Sequence, residues 1–191
     1  MNIRSSNDKI DKVFAATIDL IGEYGLQNTP MSKVSKKSGV SPGTIYHYFE
    51  NKEELIQQLY LHLKEELAQI IFADYDISKP FKDRFESIWR QAFDYMLKNP
   101  DKYSVMEQCK NSPQILEPIQ EQSQRFFAPF IGFITEGVQT EQIKDIPLEM
   151  TFAFLNATIT STIQLAHTKA IEVGKNEIDT AFQLCWDGLA R

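Results

Sequence analysis

The side chains best suited to chemistry lie close together near the N-terminus, in the segment 42–48. Four of them offer hydroxyl or imidazole groups: Thr44, Tyr46, His47 and Tyr48. Ile45 and Phe49, four positions apart, occupy the buried side of the same predicted helix. Polar side chains exposed on a helix can hydrogen-bond to phosphates and to base edges in the major groove of DNA. The segment is therefore a candidate reading surface for double-stranded DNA.

The other reactive residue types are not arranged for catalysis. The histidines His47, His62 and His167 fall on separate predicted helices, without the spacing of a metal site. There is neither a glycine-rich phosphate loop nor a nucleophile elbow. Cys109 and Cys185 are expected to be two buried free thiols. The sequence thus predicts no enzyme, no metal and no cofactor.

Three closely spaced helices are predicted to position the reading surface. Apolar residues recur at three- and four-residue intervals and predict a first helix over 7–24. Thr29 is a candidate cap for a second helix, which must end near Ser38 because Gly39 favours a left-handed turn. Ser41 caps a third helix over 42–48, and Pro42 occupies its first turn. This arrangement, with Val34, Val40 and Ile45 as an apolar wedge and Ser35 where the helices cross, predicts a helix-turn-helix.

The remaining chain shows helical periodicity between boundaries marked by proline. The predicted helices cover about 52–70, 80–98, 103–110, 114–138, 147–170 and 176–189, and Pro118 or Pro129 can interrupt the fourth of these. No alternating pattern typical of β-strands stands out. The sequence therefore predicts an all-α fold of about nine helices.

Charge and composition restrict the class of protein. The 191 residues are 42% hydrophobic and 24% charged, as in soluble globular proteins. The net charge is −6, yet residues 1–49 hold six basic against four acidic side chains. A mildly basic end on an acidic body suits a chain that meets a polyanion at one end only. With no signal sequence and no run of about 20 apolar residues, we expect a cytoplasmic protein that does not enter membranes.

Several short motifs give the N-terminal segment a clear resemblance. The runs 31–34, 38–41, 43–49 and 51–55, with their Gly-Val-Ser, Tyr-x-x-Phe and Lys-Glu-x-Leu elements, resemble the DNA-binding domain of the TetR family of transcriptional regulators. The resemblance covers about residues 8–58. It implies a DNA-binding domain over 1–51 and a larger helical domain over 52–191 that binds an effector and dimerises.

The resemblance also implies DNA-contacting roles for individual residues. It places ten residues at the DNA: Ser32, Lys33, Ser41, Pro42, Gly43, Thr44, Tyr46, His47, Tyr48 and Lys52. Thr44 is expected to face a base edge, and Gly43 lets the backbone approach closely. Lys52 is expected to bind phosphate beside a helix N-terminus. Ser32 stands where an arginine is frequent in the family, so fewer charges at the interface predict a shallow salt dependence.

The larger domain is rich in aromatic residues. Phe85, Trp89 and Phe93 follow one another at four-residue spacing, and a second group crowds 126–133. These aromatics either line an apolar effector cavity or form ordinary core. The candidate pocket residues are Phe85, Trp89, Phe93, Met106, Phe126, Phe130, Phe133 and Asn156.

Residues 156–167 place small and polar side chains on a helix that is predicted to be buried. They suit a dimer seam, with Phe182, Leu184, Trp186 and Leu189 of the final helix as partners. Alternatively, Asn156, Thr160 or His167 points inward and orients a ligand. The homodimer is expected to form through about residues 147–190.

These observations predict a homodimeric, ligand-responsive repressor that a small hydrophobic or aromatic effector releases from a near-palindromic operator. Two alternatives stay open: an activator or weakly specific DNA binder, and a helical ligand- or protein-binding module without DNA readout. The operator sequence, the target genes, the effector and the sign of regulation do not follow from the sequence.

Overall fold

The computed structural model describes residues 3–191, with side chains from residue 8, and confirms the all-α fold. The described residues form no β-strand. Eleven α-helices and one 3₁₀ helix follow one another in this order: α1 Ile3–Tyr24, α2 Met31–Ser38, α3 Pro42–Tyr48, α4 Lys52–Ile71, α5 Phe81–Lys98, α6 Pro100–Lys110, α7 Pro113–Leu116, the 3₁₀ helix Glu117–Ile119, α8 Gln120–Arg125, α9 Ala128–Gln139, α10 Leu148–His167 and α11 Lys175–Leu189.

The helices group into two compact units. The first unit contains the described residues up to Glu65 together with Asn99–Gln124, and the second contains Glu66–Lys98 and Arg125–Arg191. The first unit therefore combines the three predicted N-terminal helices and most of α4 with α6, α7 and α8. The second unit is built from the end of α4 and from α5, α9, α10 and α11.

The first unit is held together by the apolar stripe of α1. Val13, Leu20 and Ile21 are at most 5% exposed. Thr17 is buried among them, and its hydroxyl donates to the Val13 carbonyl at 2.7 Å. A buried hydroxyl is tolerated when it is hydrogen-bonded in this way. Helix α1 begins at Ile3, four residues before its predicted start.

The segment after α6 is the part that differs most from the expected helix pattern. One helix over 114–138 is replaced by α7, the 3₁₀ helix, α8 and α9. Pro118 lies in the 3₁₀ helix, and Pro129 lies in the first turn of α9, after a break at Phe126 and Phe127. Because proline lacks the N–H group that continues a helix, these positions favour restarts. This subdivision raises the helix count above the expected nine.

The core of the second unit is aromatic. Phe85, Trp89 and Phe93 on α5 are 0% exposed, so the periodicity predicted for this helix is confirmed. The rings of Trp89 and Phe93 stack with centroids 5.4 Å apart. Phe81 of α5 stacks on Phe133 of α9 at 4.4 Å.

Three further findings concern the cysteines, possible metal sites and possible membrane spans. Both cysteines are buried free thiols, as expected. Within residues 3–191, no group of histidine, cysteine and acidic side chains is placed to hold a metal ion. No helix in the described part of the chain combines the length and apolar character that a membrane span requires.

Candidate nucleic-acid interface

The turn between α2 and α3 is fixed by local hydrogen bonds. Gly39 adopts φ 69° and its N–H donates to the Ser35 carbonyl at 3.1 Å. The Ser35 hydroxyl donates to the Val40 carbonyl at 2.8 Å. Val34, Val40 and Ile45 are buried, so the apolar wedge forms as predicted. A left-handed glycine permits the sharp change of direction between the two helices.

Helix α3 begins with the predicted cap. The Ser41 side chain accepts a hydrogen bond from the Thr44 N–H at 3.3 Å, and Pro42 is the first helical residue. The two hydroxyl oxygens of Ser41 and Thr44 lie 2.9 Å apart and share a hydrogen bond. The cap therefore also orients the Thr44 hydroxyl at the start of the helix.

The two sides of α3 differ sharply in exposure. Ile45 is 1% exposed and Phe49 is 4% exposed, whereas Tyr46 is 53% exposed. His47 is exposed, and Tyr48 is half-buried with its ring 5.4 Å from the ring of His47. The apolar side of α3 thus anchors the helix in the core, and the polar side faces solvent.

The start of α2 differs from the expected cap. Pro30 occupies the N-cap position and makes no side-chain capping bond. Thr29 is 1% exposed, and its hydroxyl donates to the Gly25 carbonyl at 3.0 Å. The prediction that Thr29 caps α2 was therefore wrong, because this hydroxyl satisfies the end of α1 instead. Ser32, the second residue of α2, is exposed.

Two lysines of α2 are held by side chains of α1. The Lys33 ammonium lies 4.0 Å from the centroid of the Tyr24 ring, within the range of a cation–π interaction. The Lys37 ammonium lies 3.1 Å from an oxygen of the Asp19 carboxylate. Neither pair was predictable from local sequence patterns, since both depend on how α1 and α2 cross.

The third part of the candidate interface is the N-terminus of α4. The side chain of Asn51 accepts a hydrogen bond from the Glu54 N–H at 2.8 Å and so caps α4. Lys52 is half-buried, and its ammonium donates to the Gln27 carbonyl at 3.0 Å. The predicted phosphate-binding cation is therefore attached to the turn between α1 and α2.

The structure brings all ten predicted DNA contacts into the first unit. Seven of them are exposed, and Thr44, Tyr48 and Lys52 are half-buried. They lie at the beginning of α2, along α3 with its cap, and at the beginning of α4. This accessibility suits contact with DNA, and the individual contacts stay predictions.

The predicted pocket residues are distributed over both units. Phe85, Trp89 and Phe93 of α5 and Phe130 and Phe133 of α9 are buried in the second unit. Phe126 is half-buried between α8 and α9, and Asn156 is half-buried on α10. Met106 is buried on α6, which belongs to the first unit.

The buried aromatics contain one polar contact that sequence reasoning missed. The indole N–H of Trp89 donates to the Thr158 hydroxyl at 3.1 Å, and that hydroxyl donates to the Leu155 carbonyl at 2.8 Å. Thr158 lies inside the polar stretch 156–167, in which Asn156, Thr160 and His167 were the predicted ligand-orienting residues. Thr160 is half-buried and His167 is exposed.

Helices α10 and α11 expose large apolar side chains. Met150 is 59% exposed, Phe154 41% and Leu165 40% on α10, and Leu184 is 64% exposed on α11. Phe154 lies against Gly188, where an added Cβ would come within 2.5 Å of its ring. Exposed apolar patches of this kind typically mark interaction surfaces.

Comparisons with known proteins agree with this architecture. A family profile described as "Bacterial regulatory proteins, tetR family" matches residues 13–59. A second profile, "Tetracyclin repressor-like, C-terminal domain", matches residues 80–190, which is more than half of the chain.

Individual relatives and structures show the same relationship. An uncharacterised HTH-type transcriptional regulator of Haemophilus influenzae is 30% identical over 110 residues, which cover 58% of this chain and 59% of that protein. The fatty acid metabolism regulator protein of Bacillus subtilis is 25% identical over 171 residues, which cover 84% of this chain and 87% of that protein.

Two solved structures share the fold. A TetR family transcription regulator from Marinobacter aquaeolei has a TM-score of 0.91 at 22% identity, with 98% of each chain covered. The transcriptional regulator FadR from Bacillus subtilis, solved in complex with stearoyl-CoA, has a TM-score of 0.75 at 20% identity, with 93% of this chain and 98% of that chain covered. The two family matches, the second of them over more than half of the chain, show that the chain belongs to the TetR family of bacterial regulatory proteins and is a DNA-binding transcriptional regulator rather than an enzyme.

Proposed function

We propose that the protein is a homodimeric repressor that places α3 of each protomer in the major groove of a near-palindromic operator. The observation that carries this proposal is the polar, solvent-exposed face of α3, anchored by the buried Ile45 and Phe49. Two such helices read half-sites about one helical turn, or a multiple of it, apart.

The contacts divide by chemistry. Thr44 and Tyr46 are positioned for base edges, and His47 and Tyr48 for phosphate or base groups. The flanking phosphates are held by Ser32, Lys33 and Lys52. The side chains at the start of α3 are small, so its backbone can come close to the DNA; these residues are Ser41, Pro42 and Gly43. Phosphate contacts set the register, and base contacts give the specificity.

The dimer forms through the exposed apolar faces of α10 and α11. Met150, Phe154 and Leu184 would otherwise leave large apolar side chains in water. A second copy of the same chain supplies a complementary surface when the two copies are related by a two-fold axis. This symmetry matches the palindromic operator.

The effector is a hydrophobic molecule that binds among the aromatic side chains of the second unit. The density of buried rings around Trp89 and Phe133 favours an apolar ligand, and Thr158 offers a polar group beside them. The Bacillus subtilis FadR structure contains stearoyl-CoA, so a long acyl chain is the first effector class to test. The effector shifts the dimer towards a conformer with wrongly spaced reading helices, by as much as its affinities for the two conformers differ.

The DNA-binding part is tested by selecting genomic fragments with purified protein. The wild type and the control Gln122→Ala/Gln124→Ala, which changes two exposed residues of α8, are expected to recover the same few palindrome-bearing fragments. Tyr46→Ala/His47→Ala is expected to recover none and to remain dimeric in analytical ultracentrifugation. Equal recovery by the Tyr46/His47 variant would overturn the assigned reading surface.

The effector and the sign of regulation need a second experiment. Stearoyl-CoA is titrated into the complex of the protein with a selected fragment, and a reporter gene behind that fragment is followed in cells with and without the protein. Release of the DNA and higher reporter output without the protein are the expected results. Tighter DNA binding with stearoyl-CoA, or lower reporter output without the protein, would contradict the repressor.

A further inference from the structure

The turn between α1 and α2, residues 25–30, is held from two sides by side chains of other helices. The Leu26 N–H donates to Oε1 of Gln108 on α6 at 2.8 Å. The Gln27 carbonyl accepts from the Lys52 ammonium at the start of α4, at 3.0 Å. Two consecutive residues of one turn are thereby bound to α6 and to α4.

The Gln108 amide has a defined orientation. Its Nε2 donates to the Ser104 hydroxyl one turn earlier on α6, at 3.2 Å. Because the Leu26 N–H needs an acceptor, the amide presents Oε1 to Leu26 and leaves Nε2 to donate to the Ser104 hydroxyl. The side chain is half-buried, so an unpaired Leu26 N–H would not be fully compensated by water.

Helix α6 passes close to the end of α1, beside Gly22 and Gly25. A Cβ added at Gly25 would lie 3.7 Å from Gln108 Oε1, and one added at Gly22 would lie 3.4 Å from Oδ1 of Asp101. Gly25 also adopts φ 80°, which side chains rarely accept. Asp101 and Gln108 are two helical turns apart, so the approach extends along α6 rather than resting on one atom pair.

The turn in question leads directly into the candidate DNA interface. Pro30 offers α2 no side-chain cap, so the turn itself sets where α2 begins. Ser32 follows two residues later, and Lys52 is bound to the turn directly. A lysine ammonium has three N–H donors, and the Gln27 carbonyl takes one, which leaves donors for a phosphate.

We propose that Gln108 is a positioning residue for DNA binding. It fixes the turn, the turn fixes the Lys52 ammonium, and Lys52 meets a phosphate at a defined place. Gln108 itself contacts Leu26 and Ser104 and not the DNA. This inference rests on the phosphate-binding role of Lys52 in the proposed function.

The number of phosphates neutralised gives the inference a specific signature. Each phosphate contributes about 0.9 to the slope of log affinity against log salt for duplex DNA. If Gln108 acts through Lys52, then Gln108→Leu lowers the steepness of this slope by about 0.9. At about 0.15 M salt, the loss corresponds to roughly fivefold weaker binding.

The test uses the purified protein and a fluorescent 30-base-pair duplex that carries the palindrome of a selected genomic fragment, with anisotropy measured at several salt concentrations. Gln91→Leu is the matched control, because Gln91 is also half-buried and bonds only to Ser87, one turn earlier, at 3.3 Å. Gln108→Leu is expected to show the shallower slope, and Gln91→Leu the slope of the wild type. Gln108→Glu keeps an acceptor for Leu26 and is expected to keep that slope.

A double substitution shows whether the effect passes through Lys52. In the Lys52→Ala background, Gln108→Leu is expected to change neither slope nor affinity further. If Gln108→Leu does not fold, Ser104→Ala removes only the second hydrogen bond that restrains the amide and is expected to change the slope in the same direction by a smaller amount.

The outcomes separate this inference from the proposed function. An unchanged slope with Gln108→Leu, or an equal change with Gln91→Leu, overturns the inference while the wild type still binds DNA. If the wild type does not bind the duplex, or the Tyr46/His47 variant binds as well as the wild type, the proposed function itself fails.

Discussion

Replacement of Glu136 by Gln is expected to destabilise the second unit, because it leaves a buried cation without its counter-ion. The Arg84 side chain is 6% exposed and donates from both terminal nitrogens to the Glu136 carboxylate. One of these nitrogens also donates to the Tyr75 hydroxyl at 2.7 Å. The guanidinium lies 5.4 Å from the ring centroid of Phe133 and 5.6 Å from that of Phe81. Little water can therefore replace the lost carboxylate.

The magnitude follows from the exposure of the two partners. Removing one partner of a fully buried ion pair costs about 3–5 kcal/mol, and an exposed pair contributes about 0–1 kcal/mol. The Glu136 side chain is 38% exposed, and Tyr75 still accepts one hydrogen bond from Arg84. We therefore expect a loss of about 2–3 kcal/mol in the free energy of unfolding, or roughly 5–10 °C in Tm for a chain of this length.

The same pair gives a pH dependence of known sign. The hydrogen bonds from Arg84 hold the pKa of Glu136 below its ordinary value of 4.5. A carboxyl whose pKa is lower in the folded state than in the unfolded state stabilises the fold. This contribution is complete above the ordinary pKa and is lost as the pH falls through the lowered pKa. The stability difference between wild type and Glu136→Gln should thus be largest near neutral pH and should narrow in acid below pH 4.5.

Urea unfolding followed by tryptophan fluorescence measures this difference. Trp89 and Trp186, the two tryptophans of the chain, both lie in the second unit and therefore report on it. Glu86→Gln is the control: Glu86 pairs with Arg90 at 2.7 Å, but both side chains are 34% exposed. The free energy of unfolding of the control variant should fall by less than about 1 kcal/mol. Equal losses in the two variants would refute the claim that burial of Arg84 makes Glu136 important.

Three further changes have separate readouts. A Cβ added at Gly43 has no atom within 4 Å, so Gly43→Ala should raise the free energy of unfolding by about 0.5–1 kcal/mol. The same variant should bind duplex DNA more weakly in anisotropy titrations, and unweakened binding would contradict a close approach of the backbone to the DNA. Gly137→Ala would place a Cβ 2.3 Å from Cζ of Phe81, and we expect a cost of about 1–3 kcal/mol in thermal unfolding, whereas an unchanged Tm would show that the ring moves freely. Burial raises the pKa of the Cys109 thiol to about 12, so mass spectrometry should find it unlabelled by iodoacetamide in the native protein at pH 8 and labelled in urea; rapid native labelling would disprove its burial.

Local rules predicted the geometry of α3 and of the turn before it well. Ser41, Pro42 and Gly39 act through groups within a few residues, so the start of α3 and the turn before it follow from the sequence. The burial of Ile45 and Phe49 follows from their spacing, and this burial leaves Tyr46 on the opposite side. The all-α fold and the extent of α5 rest on the same kind of periodicity.

Contacts between distant segments were not predictable in this way. Arg84 and Glu136 are 52 positions apart, and Leu26 and Gln108 are 82 apart. Thr29 shows the limit within a single turn: its residue type suits a cap, but the packing of the turn directs its hydroxyl to Gly25. Single-sequence patterns report which side of a helix is buried and leave open which helix covers it.

The charge of the candidate interface has a consequence for how the protein selects its DNA. The chain carries a net charge of −6, and the α2 cation Lys37 is paired with Asp19. Nonspecific DNA binding is almost wholly electrostatic, so an interface with few unpaired cations binds random DNA weakly. Hydrogen bonds from Thr44, Tyr46 and His47 to bases are affected much less by this charge balance. On the proposed contacts, weak background binding therefore raises the ratio of specific to nonspecific affinity, the quantity that decides operator occupancy in a genome full of competing sites.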